Sequence, residues 1–233
     1  MPEKQYRHVF FDLDHTLWDF DKNSSETLSH LFDYFNLQQL KLFTLDQFLQ
    51  AFHKVNRKLW SAFDQGKVDK SYIRGERFRI ISQYLKVSPN LIPEQLGDLY
   101  LSMCPSKPHV MPYAHDILGY LKSNYHLHVI TNGFQDVQSI KIQSSRLENF
   151  FVNVITADSC GYQKPHKRIF EHALEVTSAD QEECVMIGDN LATDIKGARN
   201  AGIDQIFYNP NKLPHKDNVT YEIDCLSKIK KIL

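Results

Sequence analysis

An apolar run, Val9-Phe10-Phe11, passes directly into Asp12-Leu13-Asp14-His15-Thr16-Leu17. It reads as a buried strand that ends in two carboxylates and a hydroxyl. One strand cannot bury its own faces and must enter a sheet. Yet no strand-like run follows between residues 20 and 108. The first strand must therefore pair with segments beyond residue 108, which makes the stretch between them an insertion.

That insertion is helical by its periodicity. Asn23-Ser24-Ser25 offers an N-cap to a helix carrying Leu28, Leu31, Phe32 and Phe35. Thr44 caps a second, with Asp46 and Gln47 in its first turn and Phe48, Phe52, Val55, Leu59, Trp60 and Phe63 along one stripe. Asp69 starts a third through Ile73, Phe78 and Ile81, and Pro93 opens a fourth through Leu96 and Leu99. From Pro112 the rhythm changes. Leu127–Thr131, Phe151–Ile155, Cys184–Ile187 and Gln205–Tyr208 read as strands. Helices through Ile117–Leu121, Gln135–Leu147, His166–Val176 and Thr193–Ala201 alternate with them. Asn209–Asp217 reads as a polar loop and Leu226–Leu233 as a short basic helix. Such alternation means a parallel sheet covered on both faces. The fold class expected is α/β: a Rossmann-like parallel-sheet core, residues 1–17 and 109–233, with an inserted all-helical cap domain over 18–108.

Charge and composition exclude several partners. The formal charge is −1 with Lys and Arg dispersed, so no nucleic-acid footprint is expected. No run reaches the roughly 18 apolar residues of a membrane span. Met1 leads straight to Glu3, Lys4 and Arg7 with no apolar leader, and the four cysteines lack metal spacing. A cytoplasmic monomer or homodimer acting on a small molecule is the expectation.

Residues i and i+2 of a strand share a face, so Asp12 and Asp14 are expected to project together from its carboxyl end. Ligands of parallel α/β sheets bind at that edge. Three further groups follow strands: Thr131-Asn132-Gly133, Lys164-Pro165, and Gly188-Asp189-Asn190 with Asp194 beyond. Asp12, Asp14, Asp189 and Asp194 would gather three or four negative charges in one crevice. Left alone, their repulsion raises at least one pKa. A hard divalent cation relieves it, and oxygen-only ligands favour magnesium over zinc.

The ordered set Asp-Leu-Asp-His-Thr at 12–16, Thr-Asn-Gly at 131–133, Lys164-Pro165 and Gly188-Asp189…Asp194 resembles the haloacid-dehalogenase superfamily of phosphohydrolases. The helical insertion resembles its C1-type cap. Residues Asp12 to Phe20 and Thr131-Asn132-Gly133-Phe134 are similar to the bacterial pyrimidine 5′-nucleotidase group. The resemblance implies a magnesium-dependent phosphomonoesterase working through an aspartyl phosphate. It makes Asp12 the nucleophile and Asp14, protonated at first, the general acid and base. The metal would be held by the Asp12 carboxylate, the Asp14 backbone carbonyl and Asp189, with Asp194 acting through water or by holding Lys164. Thr131, Asn132, Gly133 and Lys164 would bind phosphate. The implied substrate is a nucleoside 5′-monophosphate.

Other activities share parts of this pattern. A phosphatase for a sugar phosphate or phosphoglycolate, or a β-phosphoglucomutase-type phosphotransferase, would carry the same four motifs. A dehalogenase needs no second acid at the Asp14 place. A non-catalytic binding module would tolerate loss of Asp12 or Lys164. Trp18 and Phe20 sit where the chain leaves the catalytic loop and are candidates to cover the leaving group or stack on a base. Among Arg74, Arg77 and Arg79 of the third insertion helix, Arg77 is the candidate to face the crevice. His126-X-His128 reads as a surface edge.

Overall fold

The computed structural model describes residues 5–233; the charged start at Glu3 and Lys4 lies outside them. Strand β1 (His8–Phe11) is followed by helices α1 (Phe20–Tyr34), α2 (Leu45–Asp64), α3 (Lys70–Tyr84) and α4 (Gln95–Met103). Then come α5 (Ala114–Leu121), β2 (His126–Thr131), α6 (Gln135–Ser144), β3 (Asn153–Thr156) and the short α7 (Ala157–Cys160). The chain ends through α8 (Lys167–Thr177), β4 (Cys184–Gly188), α9 (Lys196–Asn200), β5 (Asp204–Tyr208) and β6 (Tyr221–Ile223).

All six strands are parallel, in the order β3-β2-β1-β4-β5-β6. The chain runs outward from β1 through β2 to β3, then returns to lay β4 on the other side of β1. A crevice opens where the order reverses, at the carboxyl ends of β1 and β4. Burial on both faces is why the inner strands read as unbroken apolar runs. On one face Phe10, Ile130, Ile155, Cys184 and Met186 meet Ile169, Phe170 and Ala173 of α8 and Ala198 of α9. Each large side chain so buried contributes about 1.5–3 kcal/mol.

Two compact units result: the chain up to Asp19 with Pro108–Leu233, and Phe20–Lys107. In the first, the outgoing and returning segments pair with each other, Met111 N–H donating to Leu17 O at 2.8 Å and Asp19 N–H to His109 O at 3.1 Å. The second unit is built from α1 to α4. Thr44 caps α2 with a reciprocal box, its hydroxyl accepting from Gln47 N and its own N–H donating to Gln47 Oε1. Asp69 Oδ1 accepts from Tyr72 N at 2.8 Å at the start of α3. Phe52 packs on Tyr100 and Phe78, with ring centroids 4.9 and 6.1 Å away.

Several local expectations are corrected. Helix α1 begins at Phe20, with Asn23 and Ser24 buried inside it. The Ser24 hydroxyl donates to Asp21 O and the Thr27 hydroxyl to Asn23 O, so these polar groups are satisfied within the helix instead of capping it. Strand β6 escapes the periodicity because it is three residues long with only Ile223 buried. Leu191–Ile195 forms one wide turn, capped by Asn190 Oδ1 accepting from Ala192 N and Thr193 N. Among the described residues no helix is long and apolar enough to cross a membrane, and the four cysteines are free thiols.

His126 is exposed, but His128, two residues deeper into the sheet, is only 1% exposed. Its Nε2 lies 3.1 Å from His8 Nδ1 and its Nδ1 lies 3.3 Å from Asn153 Nδ2. Burial, then the neighbouring His8 and His126, push its pKa down to about 4 from the ordinary 6.5. The unfolded chain therefore binds a proton that the folded one refuses. Stability from this site is complete above pH 6.5 and is lost as pH falls toward 4. The expected loss is about 2 kcal/mol after allowance for screening. Denaturant titrations of wild type and His128→Asn at pH 7.5 and pH 5 check this: the wild-type advantage should shrink at pH 5. An advantage equal at both pH values contradicts it.

Candidate active site

Strand β1 ends at Phe11, so the pleat does not extend to the acids. Asp12 keeps one more ladder bond, its N–H donating to Ile187 O of β4 at 2.9 Å. The chain then turns: His15 takes a positive φ of 65°, and the N–H groups of Leu17 and Trp18 both donate to Leu13 O. Asp12 and Asp14 consequently part, instead of projecting together as strand alternation predicts.

Asp12 faces Lys164. Its Oδ1 accepts from Lys164 Nζ at 2.6 Å, and the same ammonium bonds Ile130 O at 2.8 Å and Asp194 Oδ1 at 2.7 Å. Lys164 is 1% exposed. Asp194 is held in turn by Asn190 N on Oδ2 and the Thr193 hydroxyl on Oδ1. Gly188 makes room for it, since a Cβ there would collide with the Asp194 carboxylate. Thr16 ties the first loop to the last, its hydroxyl donating to Asp189 Oδ1 at 3.2 Å and accepting from Asp189 N at 3.1 Å. One carboxylate oxygen each of Asp12, Asp189 and Asp194 lies within 4.8 Å of the others.

Three carboxylates thus cluster together, two of them paired with one ammonium. Burial, with Asp194 and Asp189 adding repulsion against the pull of Lys164, drives the Asp12 carboxyl well above its usual range. Asp189 is pushed up to about 7 by burial and by Asp194. Burial alone would lower the Lys164 ammonium; Asp12 and Asp194 outweigh it and raise it. Such an excess of negative charge, converging on oxygen donors alone, is what a hard divalent cation fits.

Asp14 turns to α6. Lys141 Nζ lies 2.6 Å from its Oδ1 and 2.9 Å from its Oδ2, and Gln138 Nε2 donates to Oδ2 at 2.9 Å. Burial raises the Asp14 carboxyl, but Lys141 and Gln138 outweigh it and hold it below the usual range. Lys141 and Gln138 thus favour the ionised form of Asp14 in this arrangement.

The second motif is tied into the site through its side chains. Thr131 is buried, and its Oγ1 accepts from Gln138 Nε2 at 2.7 Å and from Gly133 N at 3.1 Å. Asn132 has its side-chain amide committed to the Lys164 backbone, Nδ2 donating to Lys164 O at 2.9 Å and Oδ1 accepting from Lys164 N at 2.7 Å. It thereby joins two loops. Trp18 is fully buried, with Lys141 Nζ 4.6 Å from its ring centroid, so its indole is no open stacking platform. Phe20, half-buried, opens α1. Arg77 is buried in the helical unit against the paired rings of Phe52 and Tyr100, and its Nε has no hydrogen-bond partner among the described residues.

Gln138 and Lys141 are the residues that sequence reasoning did not single out, and Thr16 stood in the first motif without a role of its own. The readable signal for Gln138 and Lys141 is their polarity on the side of α6 that also buries Ile142.

The model of the family described as haloacid dehalogenase-like hydrolase matches residues 9–208. The chain belongs to that family. This haloacid dehalogenase-like hydrolase is 30% identical to the HAD-hydrolase YfnB of Bacillus subtilis, over 99% of this chain and 96% of that protein. The crystal structure of YfnB bound to magnesium superposes with a TM-score of 0.85 at 29% identity, covering 98% of this chain and 99% of that one. The pyrimidine 5′-nucleotidase PynA of Streptococcus pneumoniae is 30% identical over 96% of both chains. The pyrimidine 5′-nucleotidase YjjG of Escherichia coli is 28% identical over 97% of this chain and 96% of its own.

Proposed function

We propose that this hydrolase is a magnesium-dependent phosphomonoesterase that cleaves nucleoside 5′-monophosphates, pyrimidine ones foremost, through an aspartyl phosphate on Asp12. The observation that carries the chemistry is the convergence of Asp12, Asp189 and Asp194 at the carboxyl ends of β1 and β4, with Lys164 paired to Asp12 and Asp194. Full-length similarity to PynA and YjjG supports the substrate class. The helical unit, on this account, is the cap that selects the leaving group.

The Asp12 carboxylate, the Asp14 backbone carbonyl and Asp189 would hold magnesium, which supplies charge neutralisation for the phosphoryl group and its attacking oxygen. A phosphate dianion approaching a carboxylate needs heavy neutralisation. Lys164, fixed by Asp194 and by Ile130 O, provides one fixed positive charge beside Asp12. The Thr131 hydroxyl and backbone N–H groups after Asp12 and Thr131 add donors. Asp12 attacks phosphorus in line while the ester oxygen leaves with the electron pair of its bond to phosphorus. Asp14 takes up a proton from solvent as the negative phosphate arrives beside it, then passes it to the leaving alkoxide. In the second half it accepts a proton from the water that hydrolyses the aspartyl phosphate.

A panel of phosphate esters assayed with magnesium and with EDTA tests this reading. UMP, dUMP and dTMP should exceed sugar phosphates and phosphoglycolate by about tenfold or more in kcat/KM, a difference of about 1.4 kcal/mol in transition-state binding. EDTA should remove the activity. The reverse ranking overturns the substrate class, and full turnover in EDTA overturns the metal.

A further inference from the structure

We propose that Gln138 and Lys141, one turn apart on α6, are positioning residues that aim the Thr131 hydroxyl and the Asp14 carboxyl at the reacting phosphate ester. The proposal rests on the phosphomonoesterase reading and extends it to two residues outside the four motifs.

The geometry begins with a single amide. Gln138 Nε2 donates both to Thr131 Oγ1 at 2.7 Å and to Asp14 Oδ2 at 2.9 Å. The orientation of that amide is fixed, because exchanging its nitrogen and oxygen would set an acceptor against a carboxylate. A hydroxyl oxygen accepts two hydrogen bonds and donates one. Thr131 Oγ1 already accepts from Gln138 and from Gly133 N, so its hydrogen is the group left to point outward. Without Gln138 that hydroxyl would be free to rotate and to accept in place of donating. Gly133 makes the arrangement possible, since a Cβ at that position would collide with the Gln138 amide.

Lys141 completes it. Its ammonium grips both Asp14 oxygens, at 2.6 and 2.9 Å, while lying 4.6 Å from the Trp18 ring centroid. Two contacts from Lys141 and one from Gln138 leave the carboxyl no freedom to turn. Gln138 is fully buried and Lys141 nearly so. Removing a lysine ammonium and a glutamine amide from water is costly unless they are paired. Lys141 Nζ and Gln138 Nε2 are both spent on the site, while Gln138 Oε1 is buried with no partner among the described residues. Positions i and i+3 share one helix face, so a single helix sets both partners.

The discriminating readout is the leaving group. p-Nitrophenyl phosphate releases a phenolate that needs no proton, whereas UMP releases an alkoxide that does. Lys141→Met should lower kcat/KM for UMP by about 100-fold, the low end of general acid–base contributions, and lower it for p-nitrophenyl phosphate by less than about fivefold. Lys141→Arg should recover most of the UMP activity. Gln138→Leu should raise the inhibition constant of inorganic phosphate by about tenfold, the worth of one hydrogen bond to a charged ligand, and slow both substrates. Should Lys141→Met not fold, Lys141→Gln fills similar space without the charge and is read in the same way. Equal losses on the two substrates, failure of arginine to rescue, or unchanged phosphate inhibition in Gln138→Leu would overturn the proposal. A wild-type enzyme inactive on every phosphate ester would instead remove the reading beneath it.

Discussion

Asp12→Asn is expected to lose at least about 10⁴-fold in kcat, the scale seen when a nucleophile acting within a catalytic unit is removed, while its melting temperature stays at or above that of wild type. The two halves of this result have different causes. Asparagine keeps an oxygen to accept from Lys164 Nζ, so the bond at 2.6 Å has a replacement. It also removes one of three clustered carboxylates that repel each other, a repulsion visible in the upward pressure on Asp12 and Asp189. The fold therefore gives up nothing it needs. An amide, however, cannot attack phosphorus to form an acyl phosphate. Steady-state rates and thermal melts on the same preparation check both halves. Turnover within tenfold of wild type, or a collapse of the fold accompanying the loss, would falsify the assignment of Asp12 to chemistry.

Lys164→Met is expected to reverse that pattern by damaging stability and activity together. Methionine fills the channel but leaves Asp12 and Asp194 buried without their ammonium, and removing one partner of a buried pair costs about 3–5 kcal/mol. For a chain of this size the melting temperature should fall on the order of 10 °C. Magnesium offers a diagnostic. A cation among the same carboxylates replaces part of the missing charge, so millimolar magnesium should raise the melting temperature of Lys164→Met more than that of wild type. Binding at 100 times Kd stabilises by about 2.7 kcal/mol. Differential scanning fluorimetry with magnesium, and with EDTA, reads the outcome. A variant that melts with wild type, or one indifferent to magnesium, contradicts the electrostatic account of the site.

The parallel sheet was legible because its inner strands are buried on both faces and read as apolar runs, as at Val185-Met186-Ile187. The helical insertion was legible from the stripe Phe48, Phe52, Val55, Leu59 and from the capping pair Thr44 and Gln47. What sequence did not yield is direction. Asp12 and Asp14 separate because the strand ends before them and His15 turns the chain through positive φ, a local event that residue spacing does not encode. Gln138 and Lys141 were hidden by the same logic that found the helices. They occupy positions where a core-facing helix carries apolar residues, and only the neighbouring Asp14 and Thr131, distant in sequence, explain them. Asn132 shows the converse: a motif residue whose amide the fold commits to the Lys164 backbone. His128 looked like its exposed neighbour His126, because strand alternation gives the face but not the depth along the strand.

The most direct test of the central claim is to trap the covalent intermediate. The enzyme is quenched during turnover of UMP with magnesium, reduced with tritiated borohydride, which converts an aspartyl phosphate to labelled homoserine, and digested for peptide mass spectrometry. The label is expected on the peptide carrying Asp12, and to be absent when UMP is omitted or Asp12→Asn is used. Label on another residue, or steady turnover with no label at all, would contradict Asp12 as the nucleophile.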